Sequence, residues 1–397
     1  MVISRQNVLD LIGANRQKYQ SCLITCYSFD FTFFEERVMP VLRTANIRNV
    51  NVFLDGKFLD NALEYSRGNE FRSHKTYGIN PIYQNGVFHP KIMLLTGPKH
   101  GLLIIGSGNL TNSGLNTNDE IWAAFHIDTI ESVSAPIFSA VWQYLQSFIV
   151  KAKGFNNKKL QWISQYSPWL DKLPEYIKGD FVKMDDEVEI SFVSNDSESS
   201  IYKQILQMLP KSGIEKITIV SPYFDEKGEI LQLLNSHFGN KAIDCLVDPI
   251  FGILPIGINE QILSKVKFWR WGNCISDYNT LYNRLHAKLF HFEYERGLEY
   301  LLVGSMNASI QAFGNNIKKA TNEEAGIMIR RNSKVNYLKE LGILIPNSDT
   351  LAIKNHIPNE KNKINPEPFS NKTIRILYSE IDNNKLQFYV ENNVIIF

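Results

Sequence analysis

Two stretches of this chain carry a histidine and a lysine two residues apart, each followed by the same set of polar side chains. The first runs His89-Pro90-Lys91, Gly106-Ser107-Gly108-Asn109 and Asn118-Asp119-Glu120; the second runs His286-Ala287-Lys288, Gly304-Ser305-Met306-Asn307 and Asn322-Glu323-Glu324. On extended backbone, side chains alternate between two faces, so His89 and Lys91 share a face, as do His286 and Lys288. An ammonium beside an imidazole lowers its proton affinity and favours the neutral, nucleophilic form, while the fixed charge stands ready for a phosphate. Ser107, Asn109, Ser305 and Asn307 offer hydroxyl and amide donors suited to non-bridging phosphate oxygens. Glu120 and Glu324 can accept from the other imidazole nitrogen, which fixes the tautomer and stabilises an imidazolium. One His-x-Lys alone is an ordinary solvated pair. The duplicated set points to phosphoryl transfer.

The elements that must position these residues repeat with a period of about 195 to 198 residues. A helix-like stretch over 7–19 precedes a strand over 22–29, and a second such stretch over 201–209 precedes a strand over 216–223. An amphipathic helix follows each strand (33–42 and 227–238), and then a second buried strand, 51–55 and 242–248. Strand, helix, strand at this spacing is a parallel crossover unit. Each copy then reaches a hairpin, 88–96 with 102–107 and 285–292 with 299–305, and a closing strand, 120–126 and 324–330. The spacing predicts an α/β fold of two similar halves, 1–150 and 186–345, each a mixed sheet flanked by helices. A helix over 132–150 ends the first half, 151–185 reads as a connecting segment, and 346–397 as a linker with a short β hairpin around Asp382-Asn383-Asn384.

The paired motifs resemble the HKD signatures of the phospholipase D superfamily, in particular its nuclease-like branch, over roughly residues 1–345. The resemblance implies two half-sites meeting across a pseudo-twofold axis in one metal-independent active site. One histidine attacks phosphorus to give a phosphohistidine; the other protonates the leaving oxygen and then activates water. By that likeness the catalytic set is His89, Lys91, Ser107, Asn109, Glu120, His286, Lys288, Ser305, Asn307 and Glu324, with no cofactor and no metal. The N-terminal histidine, His89, is then the nucleophile and His286 the general acid. Glu293 and Glu295 are expected to raise the pKa of His286, whereas Thr96 and Lys99 leave His89 neutral. The chain departs from the longer signature, which has an aspartate five residues after the lysine; here Thr96 and Glu293 stand there. That departure weakens a lipid reading more than a catalytic one.

Outside the motifs, most features have a plain structural reading. Asp30 and Asp225 follow strand ends and read as helix caps. Trp122 and the cluster Phe268-Trp269-Arg270-Trp271 would suit base stacking, but packing explains them more simply. Of 397 residues 44% are apolar, enough for two core-bearing halves, and 42 basic against 41 acidic residues leave a net charge of +1. Any anion-binding surface is therefore local. Four scattered cysteines, Cys22, Cys26, Cys245 and Cys274, fit a reducing cytoplasm and no disulfide framework. No signal peptide and no apolar run of membrane-spanning length is legible.

The function expected is hydrolysis of phosphodiester bonds in nucleic acid, DNA in the first instance, in restriction or defence by analogy. A homodimer or a regulatory protein partner is compatible with this, although one chain holds both half-sites. Three rivals stay open: a phospholipid phosphodiesterase or transferase, an end-processing enzyme like tyrosyl-DNA phosphodiesterase, and a nucleic-acid-binding module without turnover. The first calls for an exposed apolar surface, and the last conflicts with two complete half-sites.

Overall fold

In this computed structural model all residues are described except 1–5, 66–72, 74, 197–198, 276–282, 316, 334, 357–375, 383–384, 391–392 and 397. The first half folds around a six-stranded sheet of β1 (Ser21–Cys26), β2 (Asn49–Asp55), β3 (Gly78–Ile82), β4 (Ile92–Thr96), β5 (Gly101–Gly106) and β6 (Trp122–Ile127). The second builds an eight-stranded sheet from β7 (Val182–Lys183), β8 (Val188–Ser194), β9 (Ile214–Val220), β10 (Ile243–Val247), β11 (Val266–Arg270), β12 (Leu289–Tyr294), β13 (Leu298–Gly304) and β14 (Ala325–Asn332). Strand order is β3-β2-β1-β4-β5-β6 in one and β11-β10-β9-β12-β13-β14-β8-β7 in the other. The repeat therefore holds strand for strand over six strands. The crossovers β1 to β2 and β9 to β10 are parallel, and β4–β5 and β12–β13 are antiparallel hairpins, as expected.

Burial explains why these runs are almost continuously apolar. The inward face of the first sheet (Leu23, Ile92, Leu94, Leu103, Ile105) meets that of the second (Val220, Leu289, Leu301, Val303, Ile327) in one core, which also takes in the helix Ala135–Ile149. Residues one position along the strands, such as Ile24, Val52, Met93 and Ile104, face outward into a separate core under the helices of the first half. Ile219, Cys245 and Phe290 do the same in the second. Strands covered on both faces carry no polar alternation. The four cysteines are buried thiols.

Element bounds differ from the sequence reading in instructive ways. The His-x-Lys triplets precede β4 and β12 and do not lie within them, so the hairpins start at Ile92 and Leu289. The segment 151–185 is no loose connector: it holds the helix Gly154–Tyr166, tied to the first sheet by Asn49 Nδ2 on the Lys159 carbonyl and Asn156 Nδ2 on the Ile79 carbonyl, both 2.9 Å. Its opening Gly-Phe-Asn-Asn is poor in helix formers, and packing supplies what propensity does not. Beyond residue 375, β15 (Ile376–Asp382), β16 (Lys385–Val390) and β17 (Asn393–Ile396) make a three-stranded antiparallel sheet where a hairpin was expected; the expected turn at Asn383-Asn384 lies outside the described residues. No helix among the described residues is long and apolar enough to cross a membrane.

Leu145, fully buried on the helix Ala135–Ile149, belongs to the core shared by both sheets. Leu145→Ala should cost about 2–5 kcal/mol, and because that core is common property, urea unfolding followed by near- and far-ultraviolet circular dichroism should show one coincident shift to lower denaturant. Two separated transitions would mean that the halves fold independently.

Candidate active site

The backbone just ahead of each hairpin is pinned before any catalytic group is placed. Asp55, ending β2, accepts from Phe58 N and Phe88 N at 2.8 Å each, and Asp248, following β10, accepts from Ile250 N, Phe251 N and Leu285 N. Each carboxylate thus joins the turn after one strand to the residue before a motif histidine. Sequence reasoning passed over both, although each of the two buried strand runs ends on an aspartate. Asp30 caps its helix by accepting from Phe33 N; Asp225 accepts from Glu229 N, but the N-cap position of the helix Glu229–His237 is Gly228.

The halves then exchange backbone bonds beside the motifs. His89 N donates to the Glu323 carbonyl (2.9 Å) and His286 N to the Asp119 carbonyl (3.0 Å), while Glu323 N and Asp119 N return bonds to Val87 and Arg284. These two short bridges are mirror versions of each other, and they align each histidine with the other half's glutamate. His89 Nδ1 lies 2.9 Å from Glu324 Oε2, and His286 Nδ1 lies 2.7 Å from Glu120 Oε1. A carboxylate there requires the proton on Nδ1, which leaves Nε2 with its lone pair.

The serines serve these glutamates. Ser107 Oγ donates to Glu120 and accepts from Ile121 N; Ser305 Oγ donates to Glu324 and accepts from Ala325 N. With its only proton committed and its side chain fully buried, neither hydroxyl is a phosphate donor as the motif had suggested. Asn109 is oriented by Tyr27 N and Ser28 N, both 3.3 Å from its Oδ1. Asn307 Oδ1 is buried with no hydrogen-bond partner among the described residues.

The variable residue of Gly-Ser-x-Asn follows from a size exchange between the repeats. Gly106 pairs with Trp122 across β5 and β6, and Gly304 pairs with Gly326 across β13 and β14. A Cβ on Gly108 would fall 2.4 Å from Trp122 Cζ2, whereas one on Gly326 would fall 2.7 Å from Met306 Cε. The first half therefore uses a large strand residue over glycine and the second the reverse. Trp122 is packing, and so are Trp269 and Trp271, whose indole nitrogens donate to Asp244 (2.8 Å) and Asp119 (2.6 Å).

Electrostatics treats the two half-sites alike. Burial drives His89 down to about 4; Glu324 opposes this, and Lys91 and Lys288 add to it. Burial likewise lowers His286 to about 4, reinforced by Lys288 and Lys91 against the pull of Glu120. Burial brings Lys91 to about 7 and Lys288 to about 8, each held up in part by both glutamates. Burial alone would raise Glu120, but His286, Lys288 and Ser107 outweigh it and keep its carboxyl below the ordinary value. The expected influence of Glu293 and Glu295 on His286 is overturned. At about 3.3 Å per residue they lie roughly 13 and 20 Å past the start of β12, and His286 stands three residues before that start, so Glu120 is the carboxylate that counts. What separates the histidines is Lys288 Nζ, 3.1 and 3.2 Å from the two ring nitrogens of His286. Lys91 donates to the His89 carbonyl, and His89 Nε2 has no hydrogen-bond partner among the described residues. Those residues contain no group of three or more His, Cys, Asp or Glu side chains arranged to hold a metal ion.

Residues 11–142 match the family described as cardiolipin synthase, PLD-like domain. No curated protein matches the chain. Among solved structures, yeast tyrosyl-DNA phosphodiesterase is 11% identical with a TM-score of 0.50, covering 80% of this chain and 84% of that one. Phosphatidylserine synthase of Haemophilus influenzae Rd KW20 is 14% identical with a TM-score of 0.47, covering 81% of this chain and 80% of that one. At such identities the likeness concerns the fold: residues 11–142 match a PLD-like domain, and the α/β fold of the chain is similar to that of the yeast phosphodiesterase.

If both lysines must be charged, kcat/KM should fall steeply as pH passes about 7 to 8, where they lose their protons. A pH–rate profile checks this limb. Ser305→Ala frees Glu324 from its donor and should lower kcat about tenfold, the worth of one hydrogen bond to a charged group, while leaving KM nearly unchanged.

Proposed function

We propose that this phospholipase D-like chain is a phosphodiesterase that hydrolyses nucleic acid, DNA in the first instance, through a covalent phosphohistidine. The observation that carries the reading is the reciprocal exchange His89–Glu324 and His286–Glu120, which joins two neutral imidazoles and two buried ammonium groups in one site. In this reading His89 Nε2, whose lone pair is open, attacks phosphorus as the bond to the leaving oxygen breaks. His286 takes up a proton as the anionic diester arrives, since a nearby negative charge raises an imidazole's proton affinity, and passes it to the leaving oxygen. It then accepts a proton from water, which attacks the phosphohistidine, releases the phosphomonoester and restores His89. Lys91 and Lys288 balance the charge that develops on the non-bridging oxygens. Glu324 and Glu120 stabilise the imidazolium form of the histidine that each one holds.

Activity on labelled oligonucleotides and plasmid should survive excess EDTA; loss restored by magnesium would mean that a divalent ion carries the charge assigned here to the lysines. His89→Ala and His286→Ala should each lower kcat by about a thousandfold or more, with little further loss in the double variant. Rapid quenching under alkaline conditions should trap an acid-labile phosphoryl group on the His89 peptide. An adduct on the His286 peptide would exchange the two roles, and its absence under every quench would favour direct attack by water.

A further inference from the structure

The two half-sites match at nearly every chemical position, but two residues before the catalytic histidine the first half has Val87 and the second has Arg284. Arg284 sits on rigid backbone: its carbonyl accepts from Asp119 N at 2.9 Å, and the next residue, Leu285, donates to Asp248. Its guanidinium Nη2 donates to the Tyr223 hydroxyl, and the Tyr223 ring stands edge-on to His286 with centroids 6.3 Å apart. The guanidinium carbon lies 5.3 Å from the centre of the Phe251 ring. Among the described residues Arg284 Nε is buried without a hydrogen-bond partner, and no carboxylate comes within ion-pair distance of the group. Arg284 also lies close enough to Lys288 to help depress its proton affinity. In the first half, Lys57 donates to the carbonyls of Asn85 and Gly86.

A half-buried guanidinium with no anion is costly unless something anionic completes it. Its planar fork suits phosphate oxygens, and its position suits a phosphate other than the one between the lysines. We infer that Arg284 grips the phosphate adjacent to the scissile one, on the His286 side alone, and thereby sets the direction in which a nucleic-acid strand lies across an otherwise two-fold site. This rests on the nucleic-acid reading above. Phe251, exposed beside Arg284 and flanked in sequence by the exposed Ile250 and Ile253, offers an apolar shoulder against which the flanking nucleoside would lie. The first half has no equivalent at Val87, where a valine offers nothing to an anion.

The test uses two isomeric trinucleotides, each with one native diester and one uncharged methylphosphonate, placed either 5′ or 3′ of the cleavable bond. Wild-type protein should cleave one isomer with a kcat/KM about tenfold below the other, the worth of one charge-assisted contact. In Arg284→Ala the two values should converge, and Arg284→Lys, which keeps the charge but loses the fork, should fall between. Equal cleavage of both isomers by the wild type, or an unchanged ratio in Arg284→Ala, overturns the inference while leaving the nuclease reading in place. Failure of the wild type to cut any oligonucleotide, together with turnover of phosphatidylglycerol vesicles, overturns both, because the apolar shoulder would then be serving a lipid. The wild-type comparison decides even if Arg284→Ala does not fold.

Discussion

Each half of this protein buries a glutamate that it does not itself neutralise. Glu324 is fully buried on the second half and faces a histidine of the first, while Glu120 does the converse. A buried carboxylate without a partner is strongly destabilising. Neither half can therefore keep its half-site ionised alone, and the docking of the two sheets is at once a folding event and the assembly of the candidate site. The apolar core between the sheets supplies the driving force. The backbone bridges at His89–Glu323 and His286–Asp119 set the register.

Around that exchange the remaining side chains act as supports. Asp55 and Asp248 fix the approach of the chain to each histidine, and Ser107 and Ser305 fix the glutamates. Most of the polar groups that repeat between the halves are thus occupied by one another. Fewer groups stand uncommitted to a side-chain partner: His89 Nε2 and the buried Asn307 Oδ1 among them, while Lys288 Nζ lies against His286 Nε2. A site with so few free groups is preorganised, since its charged groups need not reorient when phosphate arrives.

Symmetry of electrostatics coexists with asymmetry of contact. Both histidines are pushed to about 4 by the same causes, so their local fields do not tell them apart. Lys288 against the His286 ring and Arg284 beside Tyr223 do, and both belong to the second half. A linear phosphodiester has two different ends, and a site of duplicated origin needs some such departure to treat them differently.

Much of this was legible in the chain alone, because the chemistry repeats. His-x-Lys, Gly-Ser-x-Asn and the trailing glutamate recur with matched spacing, and periodic apolar runs mark nearly every strand of the two repeated units. The paired motifs, the two mixed sheets and their parallel crossovers could be read from residues local in sequence. What could not be read lies between residues far apart. Nothing in the spacing says that Glu324 serves His89 and not His286, since both pairings satisfy the same motif and only the docking of the sheets chooses. The serines looked like phosphate donors until their one proton was found on a glutamate, and Glu293 looked close to His286 because sequence distance hides the length of an extended strand. The helix Gly154–Tyr166 escaped because its stability comes from the sheet it covers. The sequence determined which groups exist and how often; the tertiary structure decided which partner each one keeps, because hydrogen bonds and charge compensation in a buried site depend on distances that only the packing of the two halves creates.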